Sequence, residues 1–274
     1  MRRGPRISNV SALALAGALL LAGCAQDRLG AYGAGGRDEA TVEALMRAAD
    51  AKRAEGDHRA AATLYRSAHE ADPEERPEPL VGLGWSLAAL GAPQDAAEAF
   101  RAALAIDDDA GEALRGMGAA LTAMGQPGLA APYYEQARAV SPEDWRIDLG
   151  QGVALDLLGE HASAQTVYRA GLAKAPGEPD LASNLALSLA LSGDPAAAID
   201  QLAPIVRGPA ADARHRQTLA MIHGLAGDRE AARRLAQIDL SPREVEQNLA
   251  FYETLRRLED PAQRLRAIRA RAAE

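Results

Sequence analysis

"GWSLAALGAPQDAAEAF", residues 84–100, and "GAALTAMGQPGLAAPYY", residues 118–134, are one pattern written twice, 34 residues apart. Each opens on a glycine, has a second glycine seven places on, an alanine five after that, and an aromatic ring at the end. The second glycine recurs as Gly56, Gly91, Gly125, Gly159, Gly193 and Gly227, at intervals of 35, 34, 34, 34 and 34. Seven residues before it stands a small residue: Ala49, Gly84, Gly118, Gly152, Ala186 or Ala220. Five after it is always alanine: Ala61, Ala96, Ala130, Ala164, Ala198 and Ala232. Nine after it stand Tyr65, Phe100, Tyr134 and Tyr168, then Leu202 and Ala236. Columns that move together through six copies separate a true repeat from the coincidences of an alanine-rich chain.

Each column has a physical reason. The recurring glycine predicts the end of a first helix, where a left-handed backbone costs any other residue energy. The small columns let helices approach closely, and the ring fills the space between stacked pairs. Pro73, Pro142 and Pro176, seventeen residues after their glycines, end the second helix. The second copy has Asp108 there and the fifth Ala210, with Pro209 beside it. Period and columns together resemble the tetratricopeptide-repeat family, whose antiparallel helix pairs stack into a solenoid. The resemblance covers residues 42–240 and implies an all-α fold, a solenoid of about six helix pairs with a C-terminal capping helix.

The sixth copy is degraded, since Ala236 replaces the ring and Asp239 stands where earlier copies have Ala68, Ala103 and Ala137. Residues 241–274 then read as capping helices. Ser241-Pro242-Arg243-Glu244 is a capping box with proline at the first helical position. Val245, Leu249, Tyr252 and Leu255 form an apolar stripe able to cover the last repeat. Asp260-Pro261 begins a final helix whose Arg264, Arg266, Arg269 and Arg271 read as a solvated basic face.

The N-terminus is of another kind. Arg2, Arg3 and Arg6 precede a run from Ala12 to Ala22 that is wholly apolar or glycine. Its length suits the core of a signal peptide and falls short of the roughly 20 residues a membrane span needs. Cys24 is the only cysteine, so it can make neither an internal disulfide nor a metal site alone. Leu21-Ala22-Gly23-Cys24 resembles the lipobox of bacterial lipoproteins, which implies cleavage before Cys24 and acylation of it. Residues 1–23 are thus expected to be a lipoprotein signal peptide. Residues 24–41, rich in glycine, are expected to form a flexible tether. With no aspartate directly after the cysteine, the resemblance places the lipid anchor in the outer membrane and the repeat body in the periplasm.

Cleavage would remove three arginines and no acid, taking the formal net charge from −8 to −11. So acidic a chain, with 4% aromatics, is a poor binder of nucleic acid. Five histidines show no metal-ligand spacing such as H-E-x-x-H. His58 and His161 occupy equivalent places three repeats apart and cannot meet. His223 falls in the column of Leu87, Leu121, Leu155 and Leu189, which predicts packing, while His69 and His215 stand alone. No nucleophile elbow, P-loop or dinucleotide fingerprint occurs. No catalytic residue, metal or cofactor is therefore expected, and an enzyme built on an unrecognised carboxylate pair is the alternative.

In tetratricopeptide solenoids the first helix of each pair lines a concave groove. Positions ten, six, three and two before the glycine share that face. They place Trp85, Leu149, Val153, Leu187 and Leu191 there as candidate partner-binding residues, and the alternative is that these pack against other helices. Lys and Asn, which mark repeat domains that grip C-terminal carboxylates, are missing: Met46, Asp50, Glu112 and Thr122 stand at such sites. An apolar groove suits an amphipathic helix of a partner. "REVEQNLAFYETLRRL" at 243–258 and "SNLALSLALSGDPAAAI" at 183–199 resemble the tetratricopeptide lipoproteins of the Tad/Flp pilus system. That resemblance implies a scaffold for proteins of the pilus machinery, with a pilotin-like role toward the secretin. A lipoprotein adaptor for another envelope machine, a type IV pilotin or a partner of peptidoglycan hydrolases, is the alternative.

Overall fold

The computed structural model describes residues 34–72, 76–209 and 211–272, among which lie fourteen helices and no strand. Six pairs follow one another: α1 (Ala34–Ala54) with α2 (His58–Ala71), α3 (Glu78–Ala89) with α4 (Pro93–Ile106), and α5 (Gly111–Ala123) with α6 (Pro127–Val140). They continue as α7 (Trp145–Leu158) with α8 (His161–Lys174), α9 (Pro179–Leu191) with α10 (Pro195–Arg207), and α11 (Ala213–Ala226) with α12 (Arg229–Ala236). α13 (Pro242–Arg257) and α14 (Pro261–Ala272) close the chain. Every first helix also packs on the first helix of the next pair, from α1 through to α13, so the odd-numbered helices form one continuous layer. Cys24, the expected signal peptide at 1–23, Pro73 and Ala210 lie outside the described residues.

The glycine column makes the turns. Gly56, Gly91, Gly125, Gly159, Gly193 and Gly227 all have positive φ, between 75° and 99°. After each, the next N–H bonds the carbonyl five residues back at 2.9–3.0 Å, as in Gln126 to Leu121 and Asp228 to His223. These are Schellman ends, which satisfy carbonyls that a helix terminus would otherwise leave open. The following residue starts the second helix. Asp57, Asp194 and Asp228 accept the N–H three residues on, while Pro93 and Pro127 at the helix start dispense with a donor.

The rings make the core. Tyr65, Phe100, Tyr134 and Tyr168 are each at most 1% exposed. Tyr134 lies between Gly118 of its own pair and Gly150 of the next, and a Cβ on either would come within 2.8 and 2.7 Å of it. Phe100 is held likewise between Gly84 and Gly116, and Tyr65 lies against Gly82. A further small column therefore stands nine residues before the repeat glycine, at Gly82, Gly116 and Gly150. One ring binds two pairs because neither neighbouring helix has a side chain in its way, and an aromatic carries most of the buried area at such a contact.

The degraded sixth pair ends in an α12 of eight residues. α13 takes the place of the next first helix: its capping box is complete and Val245, Leu249, Tyr252 and Leu255 are buried. Tyr252 stacks on Gly224, where a Cβ would fall 2.6 Å from it, and joins Ala220, Ala232 and Ala236 in one buried cluster.

Three expectations are corrected. Residues 34–41 of the expected flexible tether belong to α1, whose first turns are held by Arg76 against Glu39 at 3.2 Å and Glu43 at 3.6 Å. His215 does not stand alone: its Nδ1 accepts the Asp212 N–H at 3.2 Å while Asp212 accepts the His215 N–H, closing a capping box at α11. The arginines of the last helix are not simply a solvated face. Arg264 donates to the carbonyls of Leu258 and Leu191, and Arg271 donates to Asn248 and lies 4.8 Å over the Phe251 ring.

Candidate partner-binding groove

The odd-numbered helices line the inner side of the solenoid, and two open concavities lie along it. The first, about 720 Å³, spans the first three pairs and is polar. Trp85 stands in it, half-buried, meeting Phe100 edge-on at 5.1 Å. The Arg115 guanidinium lies 4.4 Å over the Trp85 ring and pairs with Asp144 at 3.3 Å and Glu112 at 3.5 Å. Burial pulls the Arg115 pKa below its ordinary value, against the pull of those two carboxylates. On the opposite wall the Tyr65 hydroxyl donates to Asp50 and accepts from Arg53. Loss of solvent, aided by Asp50, pushes that hydroxyl up to about 12. Trp85 Nε1 is buried with no hydrogen-bond partner among the described residues, so the ring lines the concavity with its apolar surface while its donor is covered.

The second concavity, about 450 Å³, is mostly apolar and lies between α5, α7 and α9. Val153, Leu157 and Leu187 line it, half-buried, together with Leu191, which is 1% exposed. Leu149 does not face this space and packs instead against the core cluster of α9. The apolar groove expected to run from Trp85 to Leu191 is thus divided: Trp85 belongs to the charged N-terminal concavity, and Val153, Leu187 and Leu191 to the apolar one. The break falls at α5, where Glu112 and Arg115 occupy the inner face in place of apolar residues.

At the floor of the apolar concavity sits a buried polar knot. Asp156 accepts from Ser188 Oγ at 2.6 Å and from the Tyr168 hydroxyl at 3.0 Å, with His161 Nδ1 at 2.7 Å. Burial raises the Asp156 pKa, and the three hydrogen-bonding neighbours offset part of that rise. The knot ties α7, α8 and α9 together through side chains. Asp148, 1% exposed, does the same for α6, α7 and α8 by accepting from Arg138 at 2.9 Å and Lys174 at 2.6 Å. His223 lies 3.8 Å from Asp228 and burial lowers its pKa.

Neither Asp156 nor the wall that α14 contributes, Leu265 and Ile268, was singled out by the sequence. The signal for Asp156 was its column: Ala88, Thr122, Ala190 and Gly224 hold the equivalent places, and Arg53 of the first copy is the one other charged residue there. Among the described residues no cluster of His, Cys, Asp and Glu could hold a metal ion. No helix among them is long and apolar enough to cross a membrane.

Solved structures with the same fold include a thermophilic tetratricopeptide-repeat protein of Thermus thermophilus, 23% identical over 66% of this chain and 98% of its own, with a TM-score of 0.60. PilF of Pseudomonas aeruginosa is 20% identical over 78% of this chain and 99% of its own, with a TM-score of 0.62. PilW, a widely conserved type IV pilus biogenesis factor, is 20% identical over 76% of this chain and 96% of its own, with a TM-score of 0.66. No curated protein matches the chain significantly in sequence. A family model described as tetratricopeptide repeat matches residues 46–111, 116–179 and 158–213, well over half of the chain. With the 34-residue period, the Schellman turns and the ring-on-glycine stacking, that match identifies the chain as a member of the tetratricopeptide-repeat family.

Proposed function

We propose that this chain is a non-catalytic outer-membrane lipoprotein, anchored through Cys24, whose repeat body recruits protein partners in the periplasm during assembly of a Tad/Flp-type pilus. Within that machinery the secretin is the partner we favour, in a pilotin-like role. Tetratricopeptide repeats are protein-interaction scaffolds, and the sequences at 183–199 and 243–258 support the pilus reading. PilF and PilW share the fold, and the latter is described as a pilus biogenesis factor.

The observation that carries the reading is the inner layer itself. Trp85, Val153, Leu157 and Leu187 stay half-exposed on the concave side, although Trp85 and Val153 also lean on the core. Apolar and aromatic groups left open on a rigid concave face are what a partner segment needs. The test is a pull-down from membranes with the lipid anchor intact. Secretin enriched by the wild-type protein and lost with Trp85→Ala supports the reading. Enrichment of a peptidoglycan hydrolase instead would assign the scaffold to another envelope machine.

A further inference from the structure

The last helix sits on the concave side. After Arg257 the chain needs only three residues, 258–260, before α14 begins, and α14 packs against α9, two pairs earlier in the array. Arg264 fixes it there by donating to the Leu191 carbonyl at 3.3 Å, with a second bond to the Leu258 carbonyl at 2.7 Å. Leu265 and Ile268, one turn apart on the same face, form one wall of the apolar concavity whose other walls are Val153, Leu157 and Leu187. Leu191 is nearly sealed at this junction.

The seat is filled poorly. About 450 Å³ of open groove remains between the Leu265–Ile268 ridge and the walls from α5, α7 and α9, so α14 covers one side of the concavity and leaves room for a larger ridge. α14 carries four arginines and no acid, on a chain of formal net charge −8, and Arg271 donates to Asn248 of α13.

From this we infer that the apolar concavity is a helix-binding site, held in the free protein by its own α14, and that its partner is a basic amphipathic helix bearing two apolar residues at i and i+3. This rests on the concave face being the binding face and adds its occupant and its gate. A three-residue linker gives α14 a millimolar effective concentration at the site, so an incoming helix must outcompete it. Loose packing makes that competition winnable, because the resident helix forgoes contacts a better-fitting ridge would make.

The test uses the full-length mature chain and a fluorescent peptide of residues 259–274. Leu265→Ser with Ile268→Ser frees α14 without touching the repeats, and both side chains are half-buried, so the body should keep its helical signal. The peptide should bind this variant at least tenfold more tightly than the wild type, and the affinity should weaken as salt rises. Adding Leu187→Glu should abolish binding. Arg264→Ala, which leaves the apolar ridge intact, should move the affinity in the same direction by a severalfold factor, with faster amide exchange over 261–272. Equal affinity for wild type and both released variants, or binding to none, overturns the inference. Secretin capture in the membrane pull-down is a separate readout, so failure here leaves that result standing and the reverse also holds.

Discussion

The Tyr168 hydroxyl donates to Asp156 across the turn between α7 and α8, at 3.0 Å, from a ring that is fully buried. Ser188 of the next pair and His161 complete the shell around the same carboxylate. One charged group thereby closes three helices, at a desolvation cost that its neighbours only partly offset.

That arrangement has a pH signature. Burial raises the Asp156 pKa above its unfolded value, so the folded state holds its proton over a range where the unfolded chain has lost it. Its contribution to stability is therefore largest below the ordinary carboxylate pKa and falls as pH rises to the folded value, beyond which it is constant. Asp212, Asp239 and Glu244, whose pKa values are lowered, act in the opposite sense in the acid range. Comparing Asp156→Asn with wild type removes those common terms. The stability difference, wild type minus variant, should fall with rising pH across that window in denaturant titrations, and a flat difference would remove Asp156 as its source.

The ring-on-glycine contact predicts opposite effects for one substitution at two places. Gly150→Ala puts a methyl 2.7 Å from Tyr134, and overpacking of this kind costs about 1–3 kcal/mol. Gly128→Ala, also in a helix, meets nothing within 4 Å and should stabilise by about 0.5–1 kcal/mol through helix propensity. Hydrogen exchange should locate the Gly150 damage in α5 to α7, because solenoid stability is a sum over neighbouring pairs. Equal melting of the two variants would mean that Tyr134 is not wedged as described.

The repeat period, the turns and the ring column were legible in the sequence because each is a local requirement repeated in register. A left-handed glycine leaves the same letter in every copy, and a fully buried ring leaves an aromatic in the first four. Gly82, Gly116 and Gly150 keep the period in three copies, with Arg47, Asn184 and Thr218 at the other places, and their reason becomes evident only when the ring of one repeat is seen against the helix of the next. The site was less legible. Helical spacing put Trp85 and Leu187 on one face, and Arg115, ten residues before Gly125, on it too, yet it could not show that Arg115 lies over the Trp85 ring and divides the groove. The return of α14 is marked by a hydrogen bond to a backbone carbonyl far back in the chain, and a carbonyl carries no sequence signature.

Lipidation is tested at the thiol. Cys24→Ser should lose labelling by a radioactive or clickable fatty acid and leave the precursor unprocessed, while the purified body melts as wild type. Several acyl chains anchor firmly where one holds marginally, so the variant should also leave the membrane fraction. Membrane fractionation unchanged by the substitution would sink the anchor.

Trp85 is the residue on which the binding reading can be decided. It is half-buried, its ring is shared between Phe100 below and Arg115 above, and its Nε1 has no hydrogen-bond partner among the described residues. Interface energy concentrates in such aromatics, and truncating an anchor commonly costs about 2 kcal/mol or more, roughly a thirtyfold loss in affinity. Trp85→Ala also loosens the packing on Phe100, so the informative comparison is with Trp85→Phe. Phenylalanine keeps an edge for Phe100 and a face for Arg115 but has no N–H. If binding opens the site and a partner takes the buried N–H, Trp85→Phe should fold like wild type and bind several times more weakly, with Trp85→Ala weaker again. If they use only the apolar face, Trp85→Phe should bind nearly as wild type. Arg115→Gln separates the cation from the ring, and should raise Kd most at low salt if the partner segment carries a carboxylate. Full binding by all three folded variants would move the partner off the N-terminal concavity and leave the apolar one under α14 as its site.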